Sequence, residues 1–271
     1  MDIIQRNFFN ILRSGAFNDK TRLELMSAFK WYKLFQMVDI QNVLNIFVKG
    51  INNNSNDENL TLPQDLVEKV QKTLEERKPE QKIEKGEIRL SNGIFNNKLQ
   101  KIIHKELHSI DTSIEAVDIL KIIVFNTNAM LNKGISLEGI IRLGQYLRTR
   151  GDKVDFVKLE NWISNLHLDR MAQLQGSILM EFFGFEQDEL PFVKQVEKGT
   201  YKLVIRTISN LVKETTVEWH FKENSAGFVR NNGTVLRRNL RRSLRYFDYA
   251  PLETTSNFIH NFRRSLAEIE E

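Results

Sequence analysis

Residues 168–183 read LDRMAQLQGSILMEFF, and their pattern sets the architecture that we expect. The apolar side chains recur every three or four residues, so they fall on one wide stripe of an α-helix. Gly184 and a polar segment follow, which is typical of a helix end. The stretch therefore predicts a long helix in the core, with these residues facing inward: Met171, Leu174, Ile178, Leu179, Phe182 and Phe183.

Similar helical spacing extends through most of the chain, including the strongly apolar stretch 114–131 and the first fifty residues. Within those fifty residues, Gly15 is expected to break a helix and Gly50 to cap one at its C-terminus. The sequence thus predicts a mainly α fold, an irregular multi-helix bundle with at most one short β-hairpin. Two segments leave strand as an alternative: 87–90, before the turn signal Asn92-Gly93, and 200–212, whose length favours helix. For 200–221 as a whole, helix and hairpin both stay open.

One helical domain over 1–271 is the predicted organisation. A finer division separates N-terminal helices (1–77), a linker and turn (78–97), a helical core (98–227) and basic C-terminal helices (228–271). The linker prediction depends on the charged segment 78–86, which contains Pro79.

Composition excludes several classes of protein. The chain of 271 residues has no cysteine, so disulfides, thiol catalysis and thiolate metal sites are excluded. No stretch approaches the run of about 18 apolar residues that a transmembrane helix needs. The first residues do not resemble a secretory signal. We therefore expect a cytoplasmic protein, and no sequence motif indicates a cofactor.

Positive charge is concentrated near the C-terminus. Residues 228–271 contain eight arginines and five acidic residues, a net charge of +3 out of +4 for the whole chain. A basic amphipathic helix is predicted over 234–247, with Val235, Leu236, Leu240, Leu244 and Phe247 on its inward face. Its arginines are the predicted binding residues for phosphate or for an acidic partner: Arg237, Arg238, Arg241, Arg242 and Arg245.

The same arginine pattern fits three kinds of partner, and it also fits a solvated or internally paired helix face. A protein partner is our leading expectation. Nucleic acid is an alternative, because arginines neutralise phosphates. Contact with the surface of an anionic membrane is the third. The oligomeric state is not indicated by the sequence.

Two apparent catalytic patterns are weak. His104 and His108 lie four residues apart on a predicted helix, but their sequence HKELH departs from the zinc-protease motif, so no metal site is predicted. Gly176-Ser177 followed by acids imitates a nucleotidyltransferase signature. The chemistry would need this pair on a turn before a helix, with the acids on a strand, whereas the pair lies inside the predicted apolar helix.

Several stretches, taken in order, resemble a bacterial family described as uncharacterised nucleotidyltransferases. Between its helical flanks this family carries an α/β catalytic region with metal-binding acids. Residues 51–112 are too few and too polar for such a region. The resemblance therefore implies a shared helical scaffold without the active site, and no catalytic residue is carried over. It depends on residues 8–15, Trp31, 41–44, 132–137, 159–162, 180–192 and 249–253.

Together these patterns predict a non-catalytic helical binding or scaffolding protein. The rival hypothesis is a divergent, Mg²⁺-dependent nucleotidyltransferase using acids such as Asp111, Glu115 and Asp118. A further alternative is sequence-independent binding of nucleic acid through the arginine-rich helix.

Overall fold

A computed structural model of the chain describes residues 1–76, 88–209 and 232–267. Across these ranges the regular elements are helices and no strand occurs, which confirms the predicted mainly α multi-helix fold. The chain divides into two compact units, one formed by 1–86 with 202–220 and the other by 87–201 with 221–271. The single-domain organisation stays a prediction, and the predicted linker 78–86 lies outside the described residues.

The first unit contains four N-terminal helices and most of a further helix, α10, over 200–209. Its core includes three fully buried aromatic side chains, Phe8, Trp31 and Phe47. The helix favoured for 200–212 is confirmed as far as residue 209, and the rest of 200–221 lies outside the described residues. The N-terminal helices are α1 (Ile3–Phe17), α2 (Ala28–Ile40), α3 (Leu44–Asn53) and α4 (Gln64–Glu76).

Gly15 and Gly50 lie inside helices, so the predicted helix break and helix cap are wrong. The two glycines meet where α1 packs on α3. A Cβ atom on Gly15 would lie 2.8 Å from the backbone nitrogen of Gly50 and would overlap the carbonyl oxygen of Ile46. Glycine is used at both positions because two helix backbones approach each other too closely for a side chain.

The second unit is organised around α6, which packs against α5, α7, α8, α9 and α11. All six side chains predicted to face inward from 168–183 are buried on α9, as expected. Two 3₁₀ turns, Gly151–Lys153 and Gln187–Glu189, connect helices of this unit. Its helices are α5 (Gly93–Leu107), α6 (Ile114–Asn132), α7 (Leu137–Arg150), α8 (Phe156–Asn165), α9 (Asp169–Phe183), α11 (Asn232–Tyr246) and α12 (Pro251–Ala267).

A buried polar network fixes the register of three of these helices. Asn126 of α6 donates from Nδ2 to the carbonyl oxygen of Gly139 in α7 and to Oε1 of Gln175 in α9, at 3.0 Å each. Gln175 donates in turn from Nε2 to the carbonyl oxygen of Ile123, at 3.1 Å. Because Asn126 and Gln175 are almost fully buried, sliding one helix along another would leave these polar groups unsatisfied.

The short strand predicted at 87–90 is absent from its described part, 88–90. Side chains of α5 take the place of a partner strand there: Gln100 donates to the carbonyl oxygen of Ile88 at 2.8 Å, and Asn96 accepts from the backbone nitrogen of Leu90 at 3.0 Å. Asn92-Gly93, predicted as a hairpin turn, is instead the start of α5. Asn92 is its N-cap and accepts from the backbone nitrogens of Ile94 and Phe95.

Candidate interaction surface

The arginine-rich helix α11 and the last described helix α12 form a hairpin in the second unit, joined by residues 247–250. The backbone nitrogens of Tyr249 and Ala250 donate to the carbonyl oxygen of Tyr246, at 3.0 and 3.3 Å, which closes the connection. Tyr246 is fully buried and Ala250 nearly so. The hairpin is therefore held from its inner side, and three groups of polar contacts attach it to the rest of the unit.

Arg170 of α9 makes the first attachment, at the connection between the two helices. It donates from Nη1 to the carbonyl oxygen of Asp248 at 2.9 Å, and its guanidinium lies 5.0 Å from the centre of the Tyr249 ring. It also forms a two-pronged ion pair with the buried carboxylate of Glu197, at 3.1 and 2.9 Å. Hydrogen bonding to Glu197 raises the pKa of Arg170 further above its already high usual value.

Glu253 of α12 makes the second attachment, at the N-terminus of α5. Its buried carboxylate accepts from the backbone nitrogen of Ser91 and, at 3.1 Å, from that of Asn92. Asn92 also donates to the hydroxyl of Ser256, at 3.0 Å. Burial raises the pKa of Glu253, and the two backbone donors act against that rise. An acidic side chain near a helix N-terminus is favourable because of the helix dipole.

Asn132, at the C-terminus of α6, makes the third attachment and touches both helices of the hairpin. Its carbonyl oxygen accepts from Nη1 of Arg242, and its side-chain oxygen accepts from Asn261 at 2.9 Å. A cation beside the last carbonyls of a helix is favourable for the same electrostatic reason. Arg242, predicted as a binding residue, therefore also has a structural contact.

The remaining predicted arginines divide by exposure. Arg237 and Arg241 are exposed and Arg245 is half-buried. These three are four residues apart, so they follow one another along a single face of α11. The side chain of Arg238 lies outside the described part of the structure. Arg237, Arg241 and Arg245 therefore form a basic stripe.

Leu240, Leu244 and Phe247 do not face inward, and that prediction is wrong. Their side chains are 45%, 68% and 47% exposed. The described inner side of α11 instead carries the buried Tyr246 and the half-buried Arg242. Arg242 suits this position because it donates to a carbonyl oxygen at the polar C-terminal end of α6. The helix also begins at Asn232 rather than at residue 234.

Exposed apolar side chains continue onto α12. Leu252, Ile259 and Phe262 are 52%, 45% and 39% exposed, and their spacing of seven and three residues places them on one helix face. We use the term outer face for these three residues together with Leu240, Leu244, Phe247 and the basic stripe. Exposed apolar side chains beside cations are typical of an interaction site.

The other residues singled out in the sequence form no comparable site. The rings of His104 and His108 stack at 4.3 Å, and His108 is bonded through Nδ1 to the carbonyl oxygen of His104, at 2.7 Å. Gly176-Ser177 lies within α9, as expected, where Ser177 donates to the carbonyl oxygen of Gln173. Among the described residues there is no group of three histidines or acids able to hold a metal ion.

The three acids considered for catalysis form no group that could hold a metal ion in the described residues, although Glu115 and Asp118 lie one turn apart on α6. Asp111 is almost fully exposed and lies 3.4 Å from Nζ of Lys158. Asp118 accepts from the hydroxyl of Tyr146, at 3.2 Å, and pairs with Lys121 at 3.4 Å. Burial, followed by the charge of Asp118, raises the pKa of Tyr146 to about 12. Asp111 and Asp118 therefore each have a lysine partner, and Asp118 also joins α6 to α7 through Tyr146.

Membrane-spanning helices are not found in the described ranges, since none of the helices there is both long and apolar enough. Comparison of the chain with family models, with curated proteins and with solved structures finds no match. The resemblance to nucleotidyltransferases stays a prediction for this reason.

Sequence patterns missed Arg170 and Glu253, the residues that attach the hairpin. In the sequence, Glu253 stands out only as part of the stretch 249–253, which resembles the nucleotidyltransferase family. A single acidic residue in the first turn of a helix is common, because the helix dipole favours negative charge there. Such a residue therefore does not stand out in a sequence. No sequence signal links Glu253 to Ser91, which lies far away along the chain.

Proposed function

We propose that this protein is a non-catalytic helical binding protein, a scaffold that holds an anionic partner on the outer face of α11. The observation that supports this function is the basic stripe Arg237, Arg241 and Arg245 on a helix that carries no acidic residue. Guanidinium groups aligned along one face bind carboxylates or phosphates by two-pronged hydrogen bonds. A cytoplasmic location and a scaffold related to nucleotidyltransferases belong to the same proposal.

The arrangement of the acids supports the non-catalytic part of the proposal, because no three of them form a metal-holding group in the described residues. Nucleotidyl transfer on Mg²⁺ requires carboxylates that converge on one metal site. In the described residues Asp118 is bonded to Tyr146 and Lys121, and Asp111 lies beside Lys158. The rival enzyme hypothesis predicts transfer from a labelled nucleoside triphosphate with Mg²⁺, and that transfer would overturn the non-catalytic proposal.

The triple variant Arg237→Gln, Arg241→Gln and Arg245→Gln removes the basic stripe. It is expected to weaken binding of an anionic partner by about a hundredfold at low salt, since each arginine contributes roughly 1 kcal/mol near an anionic surface. Arg242 is retained because it donates to the carbonyl oxygen of Asn132. Three probes represent the partner classes: poly-glutamate, a short DNA duplex and vesicles containing phosphatidylglycerol. Binding is measured at increasing salt, which must weaken it.

The matched control for this triple variant is Arg150→Gln, an exposed arginine at the C-terminus of α7. It should leave binding unchanged, and circular dichroism should show native helix content in both variants. If none of the probes binds the wild-type chain, or if the triple variant binds as the wild type does, the proposed function is wrong.

A further inference from the structure

We infer that the outer face of the α11–α12 hairpin docks on the surface of an anionic lipid bilayer. This inference rests on the proposed function and names its partner. It requires two properties of one surface: apolar side chains that can enter the acyl boundary, and cations that stay at the level of the headgroups.

Apolar side chains of the required kind are present on both helices. Leu240, Leu244 and Phe247 recur at intervals of four and three residues along α11, and each is close to half exposed or more. On α12, Leu252, Ile259 and Phe262 follow at intervals of seven and three residues, and their side chains are between 39% and 52% exposed. Six bulky apolar residues exposed on one helical hairpin are a costly feature in water, and a bilayer would cover them together.

Cations lie beside these apolar side chains on the same helix. One helical turn is 3.6 residues, so the series Arg237, Arg241, Arg245 runs alongside the series Leu240, Leu244, Phe247. A long arginine side chain can bury its methylene stem at the apolar boundary and keep its guanidinium among lipid phosphates. Arg263 on α12 is exposed as well.

Opposing charge on the hairpin is small. From residue 232 to 267 the sequence has seven arginines and two acidic residues, Asp248 and Glu253. The carboxylate of Glu253 is buried against Ser91 and Asn92, on the inner side. Asp248, in the connection, is exposed, and its carbonyl oxygen is held by Arg170. In the described residues, the exposed arginines of the hairpin, Arg237, Arg241 and Arg263, therefore outnumber its exposed acid, Asp248.

The apolar residues favour a bilayer over the other anionic partners. Duplex phosphates would satisfy the arginines but would leave Leu244 and Ile259 in water. An acidic helical partner could cover side chains of both α11 and α12 only if it fitted into a groove between the two helices. A bilayer has no such requirement, because its interface accommodates apolar side chains from both helices at once.

The test is co-sedimentation of the full chain with vesicles. Phosphatidylcholine vesicles containing about 30 mol% phosphatidylglycerol should bind the chain at least tenfold more tightly than pure phosphatidylcholine vesicles. The double variant Leu244→Ser and Phe247→Ser should bind the anionic vesicles about a hundredfold more weakly, since burying each such side chain is worth about tenfold. The matched control is Val157→Ser with Ile110→Ser, two exposed apolar residues outside the hairpin.

The outcomes separate this inference from the proposed function. The membrane inference is supported if vesicle binding depends on anionic lipid and is weaker in the double variant but not in its control. Binding of poly-glutamate or DNA without vesicle binding overturns it and leaves the proposed function intact. The membrane inference is also overturned if the double variant and its control bind the vesicles equally well. If no anionic probe binds, both fail.

Discussion

Replacement of Gly50 by alanine is expected to lower the free energy of unfolding of the first unit by about 3 kcal/mol. The added Cβ would overlap the carbonyl oxygen of Ile11 and would lie 2.8 Å from the Cγ2 atom of Ile11. A carbonyl in the middle of a helix cannot rotate away without losing its hydrogen bond. Relief therefore requires α1 and α3 to separate, which loosens the packing of Phe8 and Phe47 in the core.

Urea denaturation followed by circular dichroism measures this effect. The matched control is Gly93→Ala, because a Cβ on Gly93 meets no atom within 4 Å. Gly93 lies in the first turn of α5, and alanine there should be neutral or slightly stabilising. If Gly50→Ala unfolds at the same urea concentration as Gly93→Ala, then α1 and α3 do not cross at these glycines.

Arg170→Ala should destabilise the second unit by about 2 kcal/mol and loosen the connection of the hairpin, since the Arg170 side chain is about half exposed and only Glu197 is buried. The cost arises mainly at Glu197, whose carboxylate is buried and would lose both hydrogen bonds from the guanidinium. The carbonyl oxygen of Asp248 loses its donor as well. Hydrogen exchange at the amides of residues 247–250 should accelerate together with the loss of stability.

Two controls identify the buried charge as the cause. The double variant Arg170→Ala with Glu197→Gln removes that charge, and it should recover about 1 kcal/mol or more of the lost stability. Arg148→Ala removes a similar arginine, whose partner Glu189 is about one-third exposed, so it should cost about 1 kcal/mol at most. Equal losses for Arg170→Ala and Arg148→Ala would contradict this explanation.

Helical periodicity placed most of the second unit correctly. The prediction for 114–131 differs from α6 by one residue, and the apolar stripe of 168–183 is buried as expected. Periodicity could not interpret Gly15 and Gly50. A glycine that ends a helix and one that lets another helix approach look the same in sequence, and only the contact between α1 and α3 distinguishes them.

The orientation of α11 was not predictable in the same way. Both sides of this helix carry apolar residues, Tyr246 on one and Leu240 with Leu244 on the other. The side that faces inward is set by what lies beneath it, here Asn132 at the end of α6. Which side of α11 faces inward therefore depends on tertiary contacts. The sequence prediction placed inward the same apolar residues that are exposed in the structure and on which the membrane inference depends.

Protection of a single thiol on the outer face shows directly whether a bilayer covers this surface. The chain has no cysteine, so Leu244→Cys and Val157→Cys each introduce one reactive site, and both positions are largely exposed. Maleimide labelling rates are measured with and without phosphatidylglycerol-containing vesicles. We expect the vesicles to slow labelling at position 244 by about tenfold or more and to leave labelling at position 157 unchanged. Equal labelling at position 244 with and without vesicles, or protection at 157 alone, would contradict the membrane inference.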